Sequence, residues 1–160
     1  MQFGEELGRN AKGPILDVAC GYGRNAAYIA SFGANVVCID GDTAALDHIK
    51  TLPEAHRLTT MKLHLLDDPW PFVHESVGAI VNVHYYHPTL LDKFIQSLKS
   101  GGFLCLETIG GHGGNYHDLP PREYVRDQLA EWFDLRYYKE NLACPEHSDA
   151  VSVKLFAIKR

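Results

Sequence analysis

Hydrophobic residues along the chain come in short blocks that alternate between a continuous or two-residue period and a helical period, which predicts strands and helices in turn. The opening apolar run, residues 15–19, stops at a turn containing Gly21 and Gly23. A helical stretch from Arg24 then ends at Gly33, and a second apolar run, 36–39, delivers Asp40 at its tip. This is one βαβ half of a doubly wound sheet, in which ligands lie beyond the carboxyl ends of the strands.

The same reading carries to the far end. Asp42 and Thr43, followed by Leu46, Ile49 and Lys50, predict a capped helix closed by Leu52 and Pro53. A strand is expected over 61–66, and Pro69 and Pro71 leave room for at most one helical turn before the next strand at 79–83. From Thr89, the residues Leu90, Leu91, Phe94, Ile95 and Leu98 recur at helical spacing, with Lys99 in the last turn and closure at Gly101 and Gly102. The fifth strand is 103–108, and the Gly- and His-rich stretch 109–119 reads as a flap over the crevice. Pro120 and Pro121 open a helix that places Val125, Leu129 and Trp132 on one face. Phe133, Leu135 and Tyr137 alternate as a sixth strand and 150–159 forms a seventh, paired with it as a hairpin. The expected fold is α/β: a mostly parallel seven-stranded, Rossmann-like sheet with a reversed C-terminal hairpin. Fourteen residues precede the first strand, so an N-terminal cap should be a turn or two at most.

Composition narrows the function. A chain of 160 residues suits one domain spanning 1–160. A formal net charge of −5 without a basic cluster argues against a nucleic-acid partner. There is no apolar span for a membrane helix and no signal-like N-terminus, which points to a cytoplasmic protein. The four cysteines, Cys20, Cys38, Cys105 and Cys144, are widely spaced, which disfavours disulfides and zinc. Nine histidines raise the question of a metal, but the spacing of His84, His87, His112 and His117 matches no ligand motif, so none is expected.

Gly21, Gly23 and Ala26 also satisfy the dinucleotide pattern GxGxxA, with Asp40 nineteen residues past Gly21. Asp17 argues the other way. It lies inside the first strand, where a carboxylate would repel a pyrophosphate but favour an ammonium or a sulfonium. The ligand expected over this turn therefore carries a cation and a ribose diol.

Residues 16–26, LDVACGYGRNA, and 36–42, VVCIDGD, resemble the first motif and following acidic strand end of the class I S-adenosylmethionine-dependent methyltransferases. With DDPWPF at 67–72, NVHYYHP at 82–88 and SGGFLCLET at 100–108, the resemblance runs from about Gly13 to Arg160. It is closest to small bacterial enzymes of the tellurite-resistance and thiopurine type. The family's first glycine is Ala19 here, and the arginine of its His-Arg pair near the last hairpin is missing from 143–147, ACPEH.

The resemblance implies S-adenosylmethionine as cofactor and methyl transfer to a small molecule or metalloid. It places Asp17, Ala19 and Gly21 near the methionine amine, Gly23 at a close backbone approach, and Asp40 with Gly41 at the ribose. An acidic residue near the adenine amine is Asp67, with Asp68 or His64 as alternative registers. His84, Tyr85 and His87 end the fourth strand, where a side chain could orient a nucleophile or take its proton. His112, Asn115, Tyr116 and His117 belong to the expected flap. Two rivals remain: a nicotinamide oxidoreductase, which would need a second domain, and a cofactor-binding module without turnover. The short N-terminus further suggests that a second copy of the chain completes the lid over the pocket.

Overall fold

The computed structural model describes residues 2–108, 119–144 and 147–160. Seven described strands form one sheet: β1 (Ile15–Val18), β2 (Val36–Asp40), β3 (Leu58–Lys62), β4 (Val77–Val83), β5 (Leu98–Glu107), β6 (Phe133–Cys144) and β7 (His147–Lys159), in the order β3-β2-β1-β4-β5-β7-β6. The first five run parallel, and β7 is antiparallel to both β5 and β6. The expected sheet and its reversed hairpin are both present. The chain reverses its winding between β1 and β4, and it is at such a switch that strands diverge and leave a crevice.

Each face of the sheet has its own core. Leu16, Val18, Ile80, Leu104 and Leu106 meet α4 (Thr89–Ser97) and α5 (Tyr124–Leu129) through Leu90, Phe94, Val125 and Leu129. On the other side, Ile15, Cys38, Ala79, Val81 and Cys105 meet α1 (Gly4–Asn10), α2 (Arg24–Ala30) and α3 (Thr43–Ile49). All four residues of β1 are buried, including Asp17. The Asp42 side chain accepts a hydrogen bond from the Ala44 amide at 2.8 Å, capping α3 as its sequence suggests.

Between β3 and β4 no helix forms, and the connection is pinned by side chains instead. Trp70 donates through its indole N–H to Ser97 Oγ at 2.7 Å, and Lys93 Nζ donates to the Leu65 carbonyl at 2.9 Å. Leu63 and Leu65 are buried anchors of this connection. They explain why the expected strand at 61–66 is displaced. The alternation of Met61, Leu63 and Leu65 continues past the sheet, whereas pairing with β2 runs from Leu58 opposite Val36 to Lys62 opposite Asp40.

Two further boundaries differ from expectation. Helix α4 stops at Ser97, so Lys99 lies outside it and 98–102 already belong to β5. Buried Lys159 donates to the Leu98 carbonyl at 2.6 Å and holds it extended opposite Val77, and the extra residues before Phe103 form an irregular bulge containing left-handed Gly101. Pro120 and Pro121 open no helix. They run along the start of β7, with the Val151 amide donating to the Pro120 carbonyl at 3.0 Å and Pro121 bridged to Ala150. Helix α5 begins only at Tyr124, and Trp132 lies beyond its end, largely exposed. The expected flap at 109–119 falls outside the described residues except for Leu119, as do residues 145 and 146 of the final hairpin.

Candidate active site

The site is built at the carboxyl ends of β1, β2 and β4. Asp17 is almost fully buried, and its Oδ2 accepts from the Ala26 amide in the first turn of α2 at 3.0 Å. Burial pushes its carboxyl up to about 7, opposed by the Ala26 hydrogen bond and assisted by the nearby Asp40. Asp17 therefore lies beneath the glycine turn, where it ties β1 to α2 and lines neither of the cavities described below.

Above it the turn winds through left-handed backbone at Ala19 (φ 56°), Gly21 (φ 51°) and Gly23 (φ 78°). Alanine is small enough to hold the first position, at a strain of about 1–2 kcal/mol. The two glycines serve different ends. A Cβ on Gly21 would meet nothing within 4 Å, whereas one on Gly23 would lie 2.8 Å from Ile49 Cγ1. Gly21 has open space beside its Cα and gives its amide to Asp40, and Gly23 lets α2 and α3 pack.

Asp40 ends β2 with both carboxylate oxygens engaged. Oδ2 accepts from the Gly21 amide at 2.8 Å and Oδ1 from the Asp42 amide at 2.9 Å, leaving lone pairs on each oxygen for a ligand. Beside it a cavity of about 300 Å³ is lined by Ala19, Asp40, Gly41, His64, Asp67 and Tyr85, among others. Gly41 admits the His64 ring, whose Nδ1 would stand 2.9 Å from a Cβ at that position. Of the three candidates after β3, Asp68 is engaged locally, with Oδ2 accepting from the His64 amide at 2.7 Å. Asp67 faces the cavity, and His64 forms part of its wall.

The three residues expected at the end of β4 separate. His84, held at φ 64°, lines a second cavity of about 310 Å³, while Tyr85 faces the first. His87 lines neither, and its Nδ1 pairs with Thr89 Oγ1 at 2.8 Å at the start of α4. Sequence reasoning did not single out the partners that register brings to His84. Glu107 is opposite Val83 on β5, and Lys154 is opposite Glu107 on β7. The His84 amide donates to the Glu107 carbonyl at 2.7 Å, its Nε2 is 3.8 Å from Glu107 Oε1, and Lys154 Nζ is 3.1 Å from Glu107 Oε2. Arg24 and Asn82 were also missed. Arg24 lines the second cavity, and buried Asn82 donates to the Val18 carbonyl at 2.9 Å, locking β4 to β1 below the crevice.

Among the described residues, no group of three or more His, Cys, Asp or Glu is placed to hold a metal ion. His112, Asn115, Tyr116 and His117 lie outside those residues. No described helix is long and apolar enough to cross a membrane.

Residues 15–102, more than half of the chain, match a family model described as a methyltransferase domain. No curated protein matches the chain. Among solved structures, a geranyl diphosphate methyltransferase in complex with S-adenosylmethionine is 15% identical, with 99% of this chain and 85% of that one covered at a TM-score of 0.75. Geranyl diphosphate C-methyltransferase from Streptomyces coelicolor is 16% identical over 99% of this chain and 76% of that one, at 0.70. A TehB-like methyltransferase from Corynebacterium glutamicum is 17% identical over 98% of this chain and 88% of that one, at 0.66. By its matched segment and its seven-stranded sheet, the chain belongs to the methyltransferase-domain family of class I S-adenosylmethionine-dependent methyltransferases.

Proposed function

We propose that the chain transfers a methyl group to a small-molecule acceptor, with the adenosyl part of the cofactor in the crevice between Asp40 and Asp67. The observation that carries this reading is the composition of that crevice: an acidic strand end, Asp40, tied to the glycine turn by the Gly21 amide, and an acidic turn at Asp67, meeting at the switch point of the sheet. These residues fit a nucleoside bearing positive charge. The Asp40 oxygens have lone pairs left for ribose hydroxyls, the Asp67 carboxylate can accept from the adenine amine, and Leu63, Leu65 and Tyr85 supply apolar wall. Asp17 acts at one remove, by shaping the glycine turn and by the negative field of its ionised form.

When bound, S-adenosylmethionine supplies the activated methyl carbon, so the protein's task is chiefly alignment. His84 is the group best placed to take a proton from the acceptor's nucleophile, because Glu107 stands beside its Nε2 and can stabilise the imidazolium that results. A cytoplasmic setting goes with this reading, since Cys20, Cys38 and Cys105 are buried thiols without a bridge.

Isothermal titration with S-adenosylhomocysteine tests the proposal. Saturable binding is expected for the natural chain, with a loss of at least tenfold in Asp40→Ala. Binding of NADH in preference to S-adenosylhomocysteine would reject it.

A further inference from the structure

The second cavity differs in charge from the first. The adenosyl crevice is lined by Asp40 and Asp67 and by no cationic side chain. Its neighbour is lined by Arg24, Lys154 and Glu107, a net charge of +1 with histidine neutral, on a chain whose formal charge is −5. Within that cavity Lys154 and Glu107 neutralise each other at 3.1 Å. Arg24 has no ion pair among the described residues, so the uncompensated charge is its guanidinium.

The rest of the lining is mixed, with polar Gln2, Asn25 and His84 beside an apolar wall. Phe3, Tyr28, Val83 and Cys105 form the walls, with the Cys105 thiol pushed up to about 12 by burial and so chemically quiet. A volume of about 310 Å³ is at the small end for organic ligands. A cavity with an apolar wall and one unmatched guanidinium favours a partly apolar body carrying a single carboxylate, because guanidinium offers paired donors to a planar anion. An amine would meet the same charge as repulsion.

The two cavities flank the tip of β4, where consecutive residues His84 and Tyr85 line one each. A ligand in the second is therefore next to the adenosyl crevice and beside His84.

We infer that this cavity is the acceptor site and that the acceptor is a small aromatic or branched organic acid, its carboxylate held by Arg24 and its body lying against Phe3 and Tyr28. The inference rests on the proposed function only in placing the adenosyl group in the other crevice. The cofactor's own amino-acid carboxylate is the competing source of the same anion, and the experiment separates the two.

Benzoate, benzamide and benzylamine are titrated into the natural chain at saturating S-adenosylhomocysteine and followed by backbone amide NMR. Benzoate is expected to bind saturably, shifting the amides of Tyr28 and His84, with benzylamine at least tenfold weaker and benzamide between them. Arg24→Gln should weaken benzoate at least tenfold and leave S-adenosylhomocysteine within about twofold. The inference is overturned if benzoate fails to bind the complex, if benzylamine binds as well, or if Arg24→Gln leaves benzoate unaffected. It is equally overturned if S-adenosylhomocysteine excludes benzoate and Arg24→Gln weakens S-adenosylhomocysteine, which would assign the guanidinium to the cofactor. Failure of S-adenosylhomocysteine to bind at all rejects the functional reading instead, and the same three probes on the free chain then decide the charge preference of the cavity.

Discussion

Asp17 carries a buried carboxyl that prefers its proton near neutrality, and this has a measurable consequence. Burial raises it from 3.8 to about 7 in the folded chain, so between those values the native state holds a proton that the unfolded state has released. Stability from this group is therefore greatest at low pH, declines as the pH rises from about 4 to about 7, and is flat above. Asp17→Asn keeps an oxygen to accept from the Ala26 amide and removes the titration. In the ligand-free chain, the stability of the variant relative to the natural protein should rise from pH 4 to pH 7 by roughly 1.4 kcal/mol per pH unit and then hold level, read by urea unfolding at pH 4, 6 and 8. A difference that does not change with pH would mean that the carboxyl ionises without penalty. An ionised carboxylate that weakens the empty fold is the arrangement expected where a cationic ligand is to be accommodated.

At the scale of elements, the glycine turn and its helix divide their tasks between two residues that look alike in sequence. Gly21→Ala places a methyl group in open space at φ 51°, whereas Gly23→Ala drives one into Ile49 at φ 78°. The first should cost about 1 kcal/mol of stability and weaken S-adenosylhomocysteine by tenfold or more. The second should cost about 3 kcal/mol through both strain and overpacking, with a smaller effect on binding once the protein is folded. Thermal unfolding and calorimetry on the two variants check the division, and the reverse pattern would mean that Gly23 is the residue facing the ligand. The βαβ unit itself was legible because local signals agree there: apolar strand, glycine turn, amphipathic helix and the Asp42 cap. What escaped the sequence was decided by distant partners. Leu98 continued the helical period of Phe94 and Ile95, yet Lys159, sixty-one residues on, fixes its carbonyl in a strand. His84 was visible as a polar strand end, but Glu107 and Lys154 became its neighbours only through the registers of β4 on β5 and β5 on β7. The sole local mark of Glu107 was a charge at the end of an apolar strand, and that of Lys154 a polar position in an alternating strand, both equally the marks of a solvated face.

Across the whole molecule, the N-terminal segment packs on the C-terminal strands beside the second cavity. Phe3 stacks on Phe156 of β7 at 4.4 Å with an interplanar angle of 11°, and Phe156 stacks on Phe103 of β5 at 5.6 Å and 12°. Phe3 also meets Tyr137 of β6 at 5.5 Å, and buried Gly4 brings the start of α1 against the Tyr28 ring on α2. The short N-terminal segment thus closes one core and walls the proposed acceptor site, while none of its described residues lines the proposed adenosyl crevice. Phe3→Ala separates these roles. Loss of the half-buried ring and its stacking should cost about 2 kcal/mol and lower the unfolding midpoint by about 5 °C, still in a single transition because both cores share one sheet. S-adenosylhomocysteine affinity should stay within about twofold, whereas benzoate binding should fall at least threefold. Calorimetric unfolding together with the two titrations tests this. An unfolding trace split into two transitions would show that α1 is a separable unit, and an equal loss of both ligands would show that the cavities are one site.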